Sequence, residues 1–235
     1  MRGELRYWLE LARLLVDRRF LSVKSAPEAL PVLLIPGFMA GDASLAALAG
    51  WLRRRGHRVR GSGMLLNAGC AGRELTRLEQ RLAEFDGPVI VIGQSRGGTL
   101  ARALAAGHPQ KIAGLVTLGS PVLDPLAVSP SVLRTVRSVA RLGDLGMPGV
   151  FSSECRDGDC CTDFYALLRE PLDPELTSLA VYSRSDGIVD WRACLDPYAR
   201  CVEVDGSHCG MAVNPEVYRE LEPILARTEE ALCRQ

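Results

Sequence analysis

Ser95 stands in Gly93-Gln94-Ser95-Arg96-Gly97, a G-x-S-x-G pattern extended by Gly98. Five residues with three fixed recur by chance, so the flanks decide its meaning. Val89-Ile-Val-Ile92 precedes it as a short, wholly apolar run, and a helix-forming stretch follows through Leu104. A strand that turns sharply into a helix lifts a serine hydroxyl above the end of a sheet. The turn strains the serine backbone, and side chains two residues either side would collide with it, which accounts for the glycines. The helix N-terminus adds positive potential beneath the hydroxyl. Such a serine is placed for nucleophilic attack, but it is a poor nucleophile without a base. The chain has three histidines. His57 begins a strand, and His108 lies at the far end of the helix that starts at Ser95. Only His208, in Gly206-Ser-His-Cys-Gly210, falls in a loop after a last strand. Substrates bind on that side of an open α/β sheet.

A base needs an orienting acid. Strand Leu179 to Tyr182 runs into Ser183-Arg-Ser-Asp-Gly-Ile-Val-Asp190, which offers Asp186 and Asp190. Asp186 comes first and precedes Gly187, which suits a tight loop aiming a carboxylate inward, so it is favoured. Asp190 reads as a turn or helix cap before Trp191, and Asp205 as a partner in a loop hydrogen bond. The order Ser95, Asp186, His208 differs from that of the protease triads. A tetrahedral oxyanion needs two backbone donors. The N–H of Arg96 is one. The other is sought in Pro36-Gly37-Phe38-Met39-Ala40-Gly41, with Phe38 first and Met39 next. Both side chains are also candidates to line an apolar acyl pocket.

These residues need a scaffold, and strand and helix signals alternate along the chain. Pro31 to Ile35, Arg58 to Arg60, Val89 to Ile92, Ile112 to Leu118, Leu179 to Tyr182 and Cys201 to Val204 read as strands. Helices read through Leu45 to Leu52, capped by Asp42 or Ser44 and closed by Gly56, then Arg73 to Phe85, Ser95 to Leu104 and Asn214 to Leu232. The expectation is an α/β fold: a mostly parallel central sheet with helices on both faces and a helical cap insertion. The insertion spans about residues 120–177, where no strand signal appears. Its one clear helix starts at Ser129-Pro130 and carries Val132, Leu133, Val136, Val139 and Ala140 on one face. We expect it to belong to a mobile cap.

Composition is that of a globular domain. The chain has 235 residues, 47% apolar, with 28 basic and 28 acidic side chains, so no global charge favours nucleic acid or an anionic membrane. One large domain over 31–235 is expected, preceded by an amphipathic helix and linker over 1–30. In that helix Leu5, Trp8, Leu9, Ala12, Leu15 and Val16 form an apolar face. It packs on the domain surface; flanking arginines and Trp8 also allow weak contact with a membrane surface. Residues 1–20 lack the unbroken apolar core of a secretory signal, and no stretch reaches the roughly 18 apolar residues of a membrane span, so a cytoplasmic location is expected.

Of eight cysteines, Cys155, Cys160 and Cys161 cluster in the insertion. Their spacing does not match a zinc site and no histidine is near, so no metal is expected. A disulfide from Cys155 to Cys160 or Cys161 is one candidate, Cys194 with Cys201 is another, and the sequence leaves the disulfide state of the cysteines open. Cys209 reads as a packing residue.

Pro36-Gly-Phe, the Ser95 motif, Gly119-Ser-Pro121, Ser185-Asp-Gly-Ile-Val189 and Gly206-Ser-His208 together resemble the α/β-hydrolase superfamily, and within it bacterial lipase/esterase-type members. The resemblance runs from about Pro31 to the C-terminus. It implies hydrolysis of a small-molecule ester or lipid through an acyl-enzyme, with no cofactor and no metal. Thioesterase or acyltransferase activity would use the same triad, and a non-catalytic binding protein on the same fold is a third reading. The chain departs from many such relatives in having Gln94 before the serine instead of histidine, and Pro36-Gly37 instead of His-Gly.

Overall fold

A computed structural model describes residues 6–22, 29–155 and 158–232. Six parallel strands form one sheet: β1 (Val32–Ile35), β2 (Val59–Gly61), β3 (Val89–Gln94), β4 (Ile112–Leu118), β5 (Thr177–Tyr182) and β6 (Arg200–Glu203). Their order across the sheet is β2-β1-β3-β4-β5-β6, with every pairing parallel. The four inner strands are predominantly apolar because both faces are covered. Val32, Leu34, Ile90, Ile92, Val116 and Leu118 point to one face. Leu33, Ile35, Val89, Val91 and Leu115 point to the other.

The helices divide between these faces. On the first lie α1 (Tyr7–Val16), α2 (Arg18–Leu21), α3 (Ala46–Arg54) and α8 (Pro215–Leu232). Trp51 and Tyr218 are fully buried there and meet edge to face at 5.0 Å. On the second lie α4 (Ala71–Ala83), α5 (Arg96–Gly107) and α7 (Thr162–Arg169). Helix α5 is buried from Gly97 to Ala105, so its small residues, Gly97, Gly98, Ala101, Ala103 and Ala105, let it press close to the sheet. A buried pair fixes its middle: Arg102 Nε donates to Asp196 Oδ2 at 2.8 Å, with both side chains at least 96% buried.

The insertion contains α6 (Pro130–Asp144) and α7, and the sole extended contact among its described residues is an isolated bridge from Val128 to Val189. The predicted apolar face of α6 is only half covered; Val139 is its one fully buried residue. Ser129 occupies the cap position without capping, its hydroxyl meeting Ser131 instead. Asp42 also does something other than cap. Its carboxylate accepts from the Ser62 N–H and hydroxyl and the Gly63 N–H, tying the exit of β2 to the loop after β1.

Helix α1 differs most from expectation. Leu5 lies outside the described residues. The rest of the anticipated packing face, Trp8, Leu9, Ala12, Leu15 and Val16, is exposed. Glu10 and Leu14 are buried in its place. Part of the reason is a polar anchor. Glu10 Oε1 accepts the Ser207 N–H at 2.7 Å and Oε2 the Ser207 hydroxyl at 2.6 Å. On the same side Leu14 is buried in the core and Tyr7 and Leu11 pack against it, so the carboxylate and this second apolar row face inward together. No helix among the described residues is long and apolar enough to cross a membrane.

Candidate functional site

Ser95 sits between β3 and α5 with φ +53° and ψ −125°, one of two positive-φ residues other than glycine among the described residues. Such backbone costs of order 1–3 kcal/mol and persists only where the surroundings impose it. They do so here. The Ser95 N–H is held by the Leu118 carbonyl at 2.8 Å. A methyl group on Gly93 would strike the Gly97 carbonyl, one on Gly97 the Ile35 and Pro36 carbonyls, and one on Gly98 the Ser120 hydroxyl. The glycines are thus needed for close approach of backbone to backbone.

Asp186 and His208 come together from the ends of adjacent strands. Asp186 follows β5, and His208 follows β6. His208 Nδ1 lies 2.7 Å from Asp186 Oδ2, with side-chain exposures of 6% and 2%. The other carboxylate oxygen accepts the backbone N–H groups of Ile188 and Val189, both at 2.8 Å. The carboxylate is therefore fixed on both oxygens, and its loop also lines an open groove of about 380 Å³ with Ala127 to Ser129 of the insertion. Asp190 instead caps the turn Trp191–Cys194 through the Arg192 N–H. Asp205 is exposed; its hydrogen bonds from Arg6 and Ser185 hold its carboxyl below the ordinary value.

The His208 loop and the Ser95 turn are physically joined. Gln94 Nε2 donates to the His208 backbone carbonyl at 3.0 Å from a buried position. A methyl on Gly119, beside Leu118, would lie 3.2 Å from His208 Nδ1. Gln94 thus occupies a structural post that sequence reasoning recorded only as a departure. Glu10 is a second such residue, since it holds Ser207 immediately before the histidine. The other two histidines lie elsewhere: His57 Nδ1 meets the Leu30 carbonyl, and His108 pairs with Glu79.

The loop after β1 borders the serine. A methyl on Gly37 would lie 3.3 Å from Ser95 Cβ and 4.0 Å from its Oγ. The Met39 N–H is committed to the Asn67 carbonyl at 3.1 Å, and Met39 takes φ +58°. Asn67, fully buried, donates its side-chain amide to the Pro36 carbonyl at 2.7 Å. Phe38 is half-buried and packs its ring 6.0 Å from Phe151, a residue of the insertion. The Met39 side chain is 45% exposed.

Arg96 is unusual. Its backbone follows the serine, but its guanidinium turns inward to the Asn67 and Gly69 carbonyls, with Phe151 stacked 5.6 Å away. Burial pulls its pKa below the ordinary value, opposed by Glu74, Cys161 and Cys70. The seven described cysteines are free thiols, and neither candidate disulfide is formed. Cys155, Cys160 and Cys161 are joined by Cys70, which the sequence placed far away.

A family model described as "alpha/beta hydrolase fold" matches residues 81–144. Among solved structures, the chain is similar to a putative lipase from Acinetobacter baumannii AYE: TM-score 0.63, 14% identity, covering 94% of this chain and 97% of that one. A Bacillus licheniformis lipase gives TM-score 0.62, 15% identity and coverage of 86% and 94%. A thioesterase domain from the curacin biosynthetic pathway gives 0.55, 16%, and 86% and 93%. No match is found among curated protein sequences. The parallel sheet, the matched segment and these neighbours agree: this chain has the α/β-hydrolase fold.

Proposed function

We propose that the chain is a serine hydrolase that cleaves carboxylic esters, with Ser95 as nucleophile, His208 as base and Asp186 as the acid that orients it. The observation that carries this reading is the positive-φ serine at a strand-to-helix turn, joined through Gln94 to a loop whose histidine is paired at 2.7 Å with a buried carboxylate. Asp186 accepts from Nδ1–H, which leaves Nε2 free of a proton and able to take one. His208 Nε2 removes the Ser95 hydroxyl proton as Oγ bonds to the ester carbonyl carbon. The carbonyl electron pair moves to oxygen, and the backbone N–H groups of Arg96 and Phe38 donate to that oxyanion. Phe38 is preferred to Met39 because the Met39 N–H already serves Asn67. The intermediate collapses, the alcohol leaves with the proton from His208, and water repeats the sequence to release the acid. Phe38 and Phe151 supply apolar surface for the acyl group. A fluorophosphonate should label Ser95, and Ser95→Ala should abolish labelling and ester turnover together.

Thioester cleavage or acyl transfer is the second reading, favoured by the thioesterase domain among the neighbouring structures. Partition of the acyl group between water and added alcohols or thiols separates it from simple hydrolysis. A folded protein that neither reacts with the probe nor turns over any ester would instead be a binding protein.

A further inference from the structure

The structure brings together four thiols that no step of ester cleavage uses. Cys70 is the residue immediately before α4, while Cys155, Cys160 and Cys161 belong to two 3₁₀ turns of the insertion, Ser153–Cys155 and Asp159–Cys161. Their four Sγ atoms all lie within 4.8 Å of one another. Cys70 Sγ is 3.5 Å from Cys161 Sγ, and Cys160 Sγ is 3.9 Å from Cys161 Sγ. A disulfide would need about 2.05 Å. Four thiolates around one ion, each at about 2.3 Å in a tetrahedron, sit about 3.8 Å apart. The observed separations match the second arrangement.

The surroundings supply positive potential to a sulfur cluster. Helix α4 begins at the group, with Cys70 at its cap position, so its positive end faces the four sulfurs. Gly72 is required for this approach, since a methyl there would strike the Cys160 carbonyl. The guanidinium of Arg96 lies nearby, held on the carbonyl of Gly69, the residue before Cys70. Four thiolates and a divalent ion carry a net charge of −2, which these groups offset. The donors are all soft sulfur, with no carboxylate or histidine among them, which selects a zinc-class ion over calcium or magnesium. Four protein ligands leave no open position, so the ion would be structural.

We propose that Cys70, Cys155, Cys160 and Cys161 form a tetrathiolate site for one zinc-class divalent ion, cross-linking the insertion to the start of α4. Binding replaces four S–H protons, released to solvent, with four sulfur–metal bonds, and no group changes oxidation state. The ion sits behind the loop from Asn67 to Gly69, whose carbonyls hold Arg96 and Met39 and whose Asn67 amide holds Pro36. It would thus fix both the insertion and the loop bordering Ser95. The sequence concealed this site because three of the ligands sit at unfinger-like spacing and the fourth comes from another part of the fold. The site does not depend on the proposed ester chemistry.

The test is metal analysis of the full chain purified under reducing conditions with zinc supplied, followed by cobalt substitution. The expected result is one zinc per chain, and for the cobalt form a thiolate-to-cobalt charge-transfer band with the visible bands of a tetrahedral ion. Cys70→Ser and Cys160→Ser should each lose the bound ion, while Cys201→Ser, outside the cluster, should keep it. If a cluster variant does not fold, the wild-type cobalt spectrum still decides. A folded wild type without metal, two disulfides mapped among Cys70, Cys155, Cys160 and Cys161, or cobalt bands unchanged in the cluster variants would each overturn the proposal.

Discussion

Replacing Asp186 by asparagine changes one atom, and the structure says where that atom must go. One carboxylate oxygen accepts two backbone N–H groups at 2.8 Å, and the other faces His208 Nδ1 at 2.7 Å. The amide oxygen must stay on the two N–H donors, because an NH₂ group there would face two further donors. The NH₂ is then forced against Nδ1, which must become the acceptor. The imidazole proton moves to Nε2, and the histidine can no longer take the Ser95 proton. The same substitution in a serine protease triad lowers kcat about 10⁴-fold, or about 5.5 kcal/mol at 1.36 kcal/mol per decade. The side chain is 98% buried and near-isosteric, so a loss of activity should come with an unchanged fold. Asp190→Asn is the matched control. It caps a turn through the Arg192 N–H, and asparagine caps as well as aspartate, so turnover should stay within about twofold. Initial rates on a chromogenic ester, with near-ultraviolet circular dichroism of both variants, make the measurement. Activity of Asp186→Asn within about tenfold of wild type, or an equal collapse in Asp190→Asn, would refute the tautomer argument.

Glu10→Ala removes the acceptor for two buried Ser207 donors, at about 1–3 kcal/mol each, so urea unfolding should show a loss of about 2–6 kcal/mol. Because Ser207 adjoins His208, kcat should fall more than KM rises; an unchanged kcat would make the residue merely structural. Asp196→Ala strands the buried Arg102 charge and should cost about 3–5 kcal/mol in the same assay, with little effect if the pair is dispensable. Trp8, Leu9, Leu15 and Val16 are 53–75% exposed beside Arg13, Arg18 and Arg19. We expect co-sedimentation with anionic vesicles that Trp8→Ser with Leu9→Ser weakens; equal pelleting of both proteins would remove any role for this face.

The parallel sheet was legible because buried strands are continuous apolar runs, and the serine turn because its glycines answer a local demand. The pairing of Asp186 with His208 followed from strand ends. What stayed hidden was set by contacts between distant residues. The inward face of α1 combines Tyr7, Leu11 and Leu14 with a carboxylate meeting Ser207, and that polar contact is one no apolar periodicity reports. Asp42 binds the exit of a neighbouring strand instead of its own helix, so local capping rules misplace it. Gln94 looked like a deviation until its amide was found on the histidine loop. Cys70 could not be grouped with the insertion's cysteines before the fold placed α4 beside them.

The account stands on Ser95 being an activated nucleophile. Mass-spectrometric mapping after reaction with a fluorophosphonate tests this directly. The adduct should sit on the peptide carrying Ser95, form on the folded wild type, and be absent from Ser95→Ala and strongly slowed in His208→Ala. An unlabelled folded wild type, or a label on any other serine, would contradict it.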